Sequence, residues 1–317
     1  MISPLSAISR VGIVIFIAAS FVLPCCSQTE GSSSESYPVN KPALTLQKEV
    51  PEVNLLLTVT DRHSHFVRNL LPTDFTIKDN GEAPKRVTHF ESQTNLPLRL
   101  ALVIDTSDSV AYCMESEKYA AKAFLRGILH SASDLALVIN FSSRVNLVQS
   151  ATADQRLLSH AIGRLRHGGD TAIYDAVGTA NTELAKLDSS EPSRRSIILI
   201  TDGDDTSSKL TLKEAAQITQ ENGTVVYVLD TGVRYVGSAE GEANMRQLAD
   251  MTGGRFFKTA DGGRLDDAFD AIKSELRSQY AISYVPENSN SDGLFHQIVV
   301  LVPKKLIVRH RQGYFAR

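Results

Sequence analysis

The sequence predicts an α/β fold: a doubly wound, mostly parallel central sheet flanked by helices, plus a small β-sandwich formed from the N- and C-terminal segments. Three observations carry this expectation. Four continuous apolar runs of strand length, residues 98–104, 135–141, 196–201 and 224–229, suit strands buried on both faces of a parallel sheet. Helical patterns separate the runs, which is the alternation of a three-layer domain. The two flanks carry short alternating strands and no helix of useful length.

The chain has 317 residues, with 33 Lys+Arg against 36 Asp+Glu, a formal net charge of −3. That balance lacks the basic excess of a nucleic-acid binder. Three cysteines make no disulfide framework. With 42% apolar residues the chain can build a core, and its length allows about two domains.

In order along the chain, residues 1–26 read as a signal peptide. The uncharged apolar run 11–23 follows Arg10 and is shorter than the ~20 residues of a spanning helix. Leu23-Pro24-Cys25-Cys26-Ser27 resembles a bacterial lipobox with Cys26 as the lipid-bearing residue; ordinary cleavage nearby and an uncleaved signal anchor are the alternatives. Residues 27–47, rich in Ser, are expected to be a flexible linker. The folded part is then exported: periplasmic, outer-surface or secreted.

Residues 48–94 form the first part of the sandwich. In 53–60 the odd positions Val53, Leu55, Leu57 and Val59 share one face, and Asp79-Asn80-Gly81 is a hairpin signal. Residues 279–317 supply the second part, with strands at 279–285, 296–302 and 306–309. Neither block has enough strands to cover both faces of a sheet. The two are therefore expected to pair into one sandwich, with the domain 95–278 inserted between them. Helices are expected at 115–129, 152–165, 173–187, 212–222, 243–251 and 265–278. Cys113 is expected to act as a buried small hydrophobe, and His63, His65 and His89 to be surface residues.

Three loops of the inserted domain carry the chemistry. The first buried strand ends in Asp105-Thr106-Ser107-Asp108-Ser109 and the third in Thr201-Asp202-Gly203-Asp204-Asp205; between them His167-Gly168-Gly169-Asp170-Thr171 leads into a helix. Asp105 and Asp202 sit at strand carboxyl ends, on the rim where open α/β sheets bind ligands. Ser107 and Ser109 alternate with Asp105, so an extended turn aims all three side chains at one point. An all-oxygen set without histidine or thiolate favours a hard cation, Mg²⁺ or else Mn²⁺ or Ca²⁺. Six aspartates crowd the rim, and repulsion among them would raise their pKa values unless a cation intervened.

This arrangement resembles the von Willebrand factor type A domain and its metal-ion-dependent adhesion site. Asp105, Ser107 and Ser109 match the family's Asp-x-Ser-x-Ser pattern, Thr171 its later threonine and Asp202 its final aspartate. With its short-strand flanks the chain looks like bacterial exported proteins that carry a von Willebrand-related central domain. The resemblance implies that these five residues hold a Mg-type cation and leave one position for the carboxylate of a protein partner. It implies adhesion or protein binding without an enzymatic activity. Asp108 replaces the small or polar residue frequent in the family, and near the cation it would weaken attraction for an acidic ligand. A structural cell-envelope module with a loop-stiffening metal is the alternative, and a metal-dependent phosphoester hydrolase a third reading. The hydrolase lacks its general acid, because Ser107 stands in that position.

Overall fold

In the computed structural model, residues 52–92, 95–187, 192–232, 237–259, 265–288, 292–303 and 305–316 are described. The expected signal peptide, Cys26 and the linker lie outside them. Strands β1 (Val53–Thr60), β2 (Thr76–Asp79) and β3 (Arg86–Ser92) open the chain, followed by β4 (Leu98–Asp105), helix α1 (Met114–Ile128), β5 (Leu135–Phe141), β6 (Val145–Thr152), α2 (Gln155–Gly163) and α3 (Ile173–Ala185). Then come β7 (Arg194–Thr201), α4 (Leu212–Glu221), β8 (Val225–Asp230), α5 (Ala239–Thr252), β9 (Phe256–Lys258) and α6 (Leu265–Leu276). The chain closes with β10 (Tyr280–Val285), β11 (Phe295–Leu301), β12 (Ile307–His310) and β13 (Gly313–Phe315).

Among the described residues the central sheet has six strands in the order β6-β5-β4-β7-β8-β9. All its pairings are parallel except β5 with β6. The four apolar runs are the four inner strands. Every residue of β4 is buried: Leu98, Leu100, Leu102 and Ile104 face a core with Phe124, Phe269 and Ile272, and Ala101 and Val103 face a second core with Val177, Ala216 and Leu248. Each face buries its own apolar set, so one strand stabilises both layers.

The sandwich interleaves the two chain ends. β1 pairs antiparallel with both β10 and β12, and β10 also pairs with β3; in the second sheet β11 lies between β13 and β2. Val53, Leu55, Leu57 and Val59 all point into a shared core with Ile77, Tyr280, Ile282, Tyr284, Ile298 and Val300.

Several elements depart from the sequence expectation. Asp79-Asn80-Gly81 does turn the chain, with Asn80 and Gly81 both at positive φ (48° and 87°) and Asp79 bridged to Glu82. The strands it joins part company, however: β2 goes to one sheet and β3 to the other. β6 and β9 were not anticipated, because β6 mixes exposed Asn, Leu and Ser with half-buried Val and Gln and β9 is three residues long. Helix α5 begins four residues before the expected start, where Ser238 caps it by accepting the Gly241 N–H. Cys113 is half-buried at the entrance of α1, and its thiol donates to the Val110 carbonyl and to Glu117 (3.1 Å). Burial, then the Glu117 carboxylate, pushes that thiol up to about 12, so it is a polar contact with little thiolate character.

The sandwich is fastened to the amino-terminal edge of the central sheet. Arg309 forms a buried ion pair with Glu275 of α6, and Tyr227 of β8 donates to the same carboxylate (2.9 Å). Arg311 donates to the carbonyls of Gln220 and Asn54, and Arg68 to Ser278. These contacts lie at the opposite end of β4 from Asp105.

Candidate functional site

In the strand order, β5 lies on one side of β4 and β7 on the other, so the chain reverses its winding direction at the β4–β7 boundary. The crevice beyond the carboxyl ends of those two strands is the switch point where doubly wound sheets bind ligands. Asp105 closes β4 and Asp202 follows β7 by one residue.

Asp105 is fully buried. Its Oδ1 accepts the Ser107 N–H (2.8 Å) and its Oδ2 the Thr201 hydroxyl (2.7 Å). The hydroxyls of Ser107 and Ser109 lie 2.9 Å apart, and Ser109 stands near enough to Asp202 to hold its carboxyl down against the effect of burial. These contacts bring Asp105, Ser107, Ser109 and Asp202 together. Asp202 is 6% exposed, and its Oδ2 meets no hydrogen-bond donor among the described residues. A buried carboxylate oxygen without a donor is costly unless a cation satisfies it.

Burial pushes Asp105 up to about 7 and raises Asp202; repulsion from Asp202 on Asp105, and from Asp204 on Asp202, adds to it. The leading cause is desolvation, not the crowding of six acids. The other four carboxylates are engaged elsewhere. Asp108 accepts the Gly169 N–H and faces His167, Asp170 bonds Ser143, Asp204 bonds the backbone and hydroxyl of Ser238, and Asp205 bonds α3. Asp108 therefore reaches across to the neighbouring loop.

Thr171 is buried and is tied to the third loop by its backbone. Its N–H donates to the Thr206 hydroxyl (2.9 Å), and its carbonyl accepts the N–H groups of Thr206 and Ser207. None of these bonds uses its hydroxyl. The first and second loops are joined by Asp108 N–H to the Gly169 carbonyl (3.1 Å) and Gly168 N–H to the Thr106 carbonyl (2.8 Å). Gly169 has φ +94°, and a Cβ there would stand 2.7 Å from Ser143 Oγ, so this crossing needs glycine. All three loops are thus fixed to one another by the chain's own hydrogen bonds.

Among the described residues no group of three or more His, Cys, Asp and Glu side chains is placed to hold a metal. A cation at this rim would rest on two carboxylates and on hydroxyls, the donor chemistry of a hard divalent ion.

Two buried acids near the rim escaped the sequence reading. Glu117 of α1 is 1% exposed, and burial raises its pKa, with Thr231 and Cys113 opposing and Asp202 adding to the rise. Asp230, the last residue of β8, accepts the Gly232 N–H (2.9 Å). Its strand end in an apolar run was a usable signal; Glu117 offered none, since it looks like any polar helix residue.

Burial pushes Asp230 up to about 6, against the Gly232 bond and Lys258, with Glu242 and Asp202 adding to the rise. An unfolded aspartate titrates near ~3.9. Between those two values the folded chain keeps a proton that the unfolded chain has lost, so stability falls as pH rises through this window and levels off above it. Asp105 acts with the same sign up to about 7. In EDTA, Asp230→Asn should therefore gain melting temperature relative to the wild type between about pH 4 and 6, then hold that gain at higher pH. Parallel melting curves across the range would contradict this.

The fold and the rim define a class: a doubly wound α/β domain with an oxygen-lined crevice at its switch point. The chain belongs to the von Willebrand factor type A domain family, whose model matches residues 100–271. Among solved structures it is similar to a von Willebrand factor type A protein from Catenulispora acidiphila, at 16% identity and a TM-score of 0.52, over 76% of this chain and 73% of that one. It is similar to the conserved hypothetical protein BatB from Bacteroides thetaiotaomicron at 20% identity and TM-score 0.47, over 56% of this chain and 97% of that one. The vWF domain of the type V pili tip protein Mfa5 from Porphyromonas gingivalis follows at 14% and 0.46, over 57% and 95%. At these identities the likeness is one of fold. No curated protein matches the chain.

Proposed function

We propose that this chain is a protein-interaction module that captures an acidic side chain of a partner through a Mg²⁺-type cation held at the rim by Asp105, Ser107, Ser109, Thr171 and Asp202. The observation that carries the reading is the convergence of two buried carboxylates and two serine hydroxyls, with Asp202 Oδ2 left without a donor. When bound, the cation supplies positive charge that attracts a carboxylate from outside. The protein's part is to hold two negative charges and add only neutral hydroxyls, so that a 2+ ion is balanced without repelling a third carboxylate. Mn²⁺ and Ca²⁺ fit the same donors.

The loops' own hydrogen bonds favour this reading over a loop-stiffening metal, because the stiffness is already present. They also favour binding over phosphoester turnover. Asp105 Oδ1 and Oδ2 each accept a protein donor, and Ser107 stands where that chemistry places its general acid. We further propose that the module is exported, with residues 1–26 carrying the signal and ending in the lipid-bearing Cys26, and residues 27–47 as the tether. Among the described residues no helix is long and apolar enough to cross a membrane. We place the domain boundaries at 48–94, 95–278 and 279–317.

The test is calorimetric titration of the purified chain with Mg²⁺, followed by capture of acidic peptides with Mg²⁺ or with EDTA. Saturable Mg²⁺ binding and capture lost in chelator are expected. Peptide capture indifferent to EDTA would sink the proposal.

A further inference from the structure

Helix α3 begins two residues after Thr171, and its own N-cap residue, Ala172, offers no side-chain acceptor. The cap comes from another loop. Asp205 Oδ1 accepts the N–H of Ile173 (2.7 Å) and of Tyr174 (3.3 Å), and also the Ser208 hydroxyl. Asp205 Oδ2 accepts the Ser208 N–H (3.3 Å). The exchange also runs in reverse. Asp175, in the first turn of α3, accepts the N–H of Lys209 through both oxygens (3.1 Å each) and of Leu210 through Oδ1 (2.9 Å), while its own N–H donates to the Ser208 hydroxyl (3.2 Å).

We propose that Asp205 and Asp175 are a reciprocal positioning pair that fixes Thr171 relative to Asp202 and thereby sets the cation affinity of the rim without touching the cation. Each acid reaches from one loop into the other, so neither segment shifts without breaking bonds at both ends of the clasp. Thr171 precedes α3 by two residues and is tied by its backbone to Thr206 and Ser207, which follow Asp205 in the loop of Asp202. Asp205 bonds the start of α3 and Ser208, and Asp175 bonds Lys209 and Leu210; among the described residues neither acid bonds Asp105, Ser107, Ser109 or Asp202. A negative charge at a helix N-terminus is itself favourable, so the arrangement persists without metal.

The inference rests on the reading of the rim as a cation site, and the test separates the two. The full chain is titrated with Mn²⁺, read by electron paramagnetic resonance, and amide exchange at Ile173 and Tyr174 is followed in EDTA. Asp205→Ala is expected to weaken Mn²⁺ binding by ~10–100-fold, the range typical of residues one step removed from a metal. Exchange at Ile173 accelerates in that variant while the amides of β4 and β7 stay protected. Asp205→Asn keeps the Oδ1 acceptor, and asparagine caps helices about as well as aspartate, so its affinity should stay within about threefold of the wild type. Asp175→Ala attacks the clasp from its other side and should weaken binding similarly, which keeps the test open if Asp205→Ala fails to fold. Accelerated exchange at Ile173 with unchanged Mn²⁺ affinity overturns the positioning role. A wild-type chain that takes up no Mn²⁺ overturns the reading of the rim, and the inference with it.

Discussion

Asp105→Ala should abolish cation binding at the rim and leave the fold standing. The carboxylate is one of two negative charges facing the crevice, so its loss should weaken Mg²⁺ binding by more than the ~10–100-fold typical of residues behind a metal's ligands. The metal-free protein should melt no lower than the wild type near neutral pH. Burial holds this carboxyl up to about 7, which means that the folded chain keeps an uncompensated anion there once the pH passes that point. Alanine removes the anion, although it strands the Ser107 N–H and the Thr201 hydroxyl. Asp105→Asn keeps the volume and removes the charge; a loss matching alanine's assigns the effect to charge. Calorimetry with Mg²⁺ and melting in EDTA measure the two halves. Binding within about threefold of the wild type, or collapse of the fold, defeats the expectation.

The second large effect lies at the far end of the domain. Glu275 is fully buried and receives both Arg309 and the Tyr227 hydroxyl. Glu275→Ala leaves a guanidinium and a phenol without this acceptor in a largely buried seam between α6, β8 and β12. Breaking a buried pair on one side costs about 3–5 kcal/mol. Arg309 keeps partial access to water, which places the expected loss near the lower end. In a unit of this size that is roughly a 10 °C fall in melting temperature. Replacing both partners, Glu275→Met with Arg309→Met, removes the stranded charge and should recover more than half of the loss. A single variant that melts within about a degree of the wild type shows that the seam is not held by this pair.

What the sequence made legible follows from how strongly each position is constrained. β4, β5, β7 and β8 are buried on both faces over most of their length, so apolar residues dominate them and they read as near-continuous runs. The odd residues of β1 read cleanly because one face is core and the other is not. Asp105 and Asp202 were visible because an acid ending such a run must lie on the carboxyl rim. β6 was hidden because an edge strand partly open to solvent carries no fixed alternation. The separation of β2 from β3 was hidden as well, since a tight turn reports only local geometry and the sheet each strand joins is settled by β10 and β11, some two hundred residues later. Asp205 was read as a crowding charge at the cation, whereas it caps a helix that starts 32 positions earlier in the chain. Backbone donors left open by Ala172 have no signature in composition, and only the folded loops reveal which acid answers them. His296 illustrates the same point: buried in the sandwich against Asp79 and Tyr314, it occupies an inward position of β11 that alternation alone would assign to an aliphatic residue.

The interleaving of the two chain ends bears on how the molecule carries load. β1 is the first described strand, and it is laced on both sides to strands made after the whole central domain, β10 and β12. Antiparallel ladder bonds run perpendicular to the strands. Tension entering from the amino end along β1 therefore meets both ladders in shear, with many bonds strained together, in contrast to the one-at-a-time opening of an unzipped hairpin. A pull on that end is borne by the sandwich before it reaches the carboxyl rim.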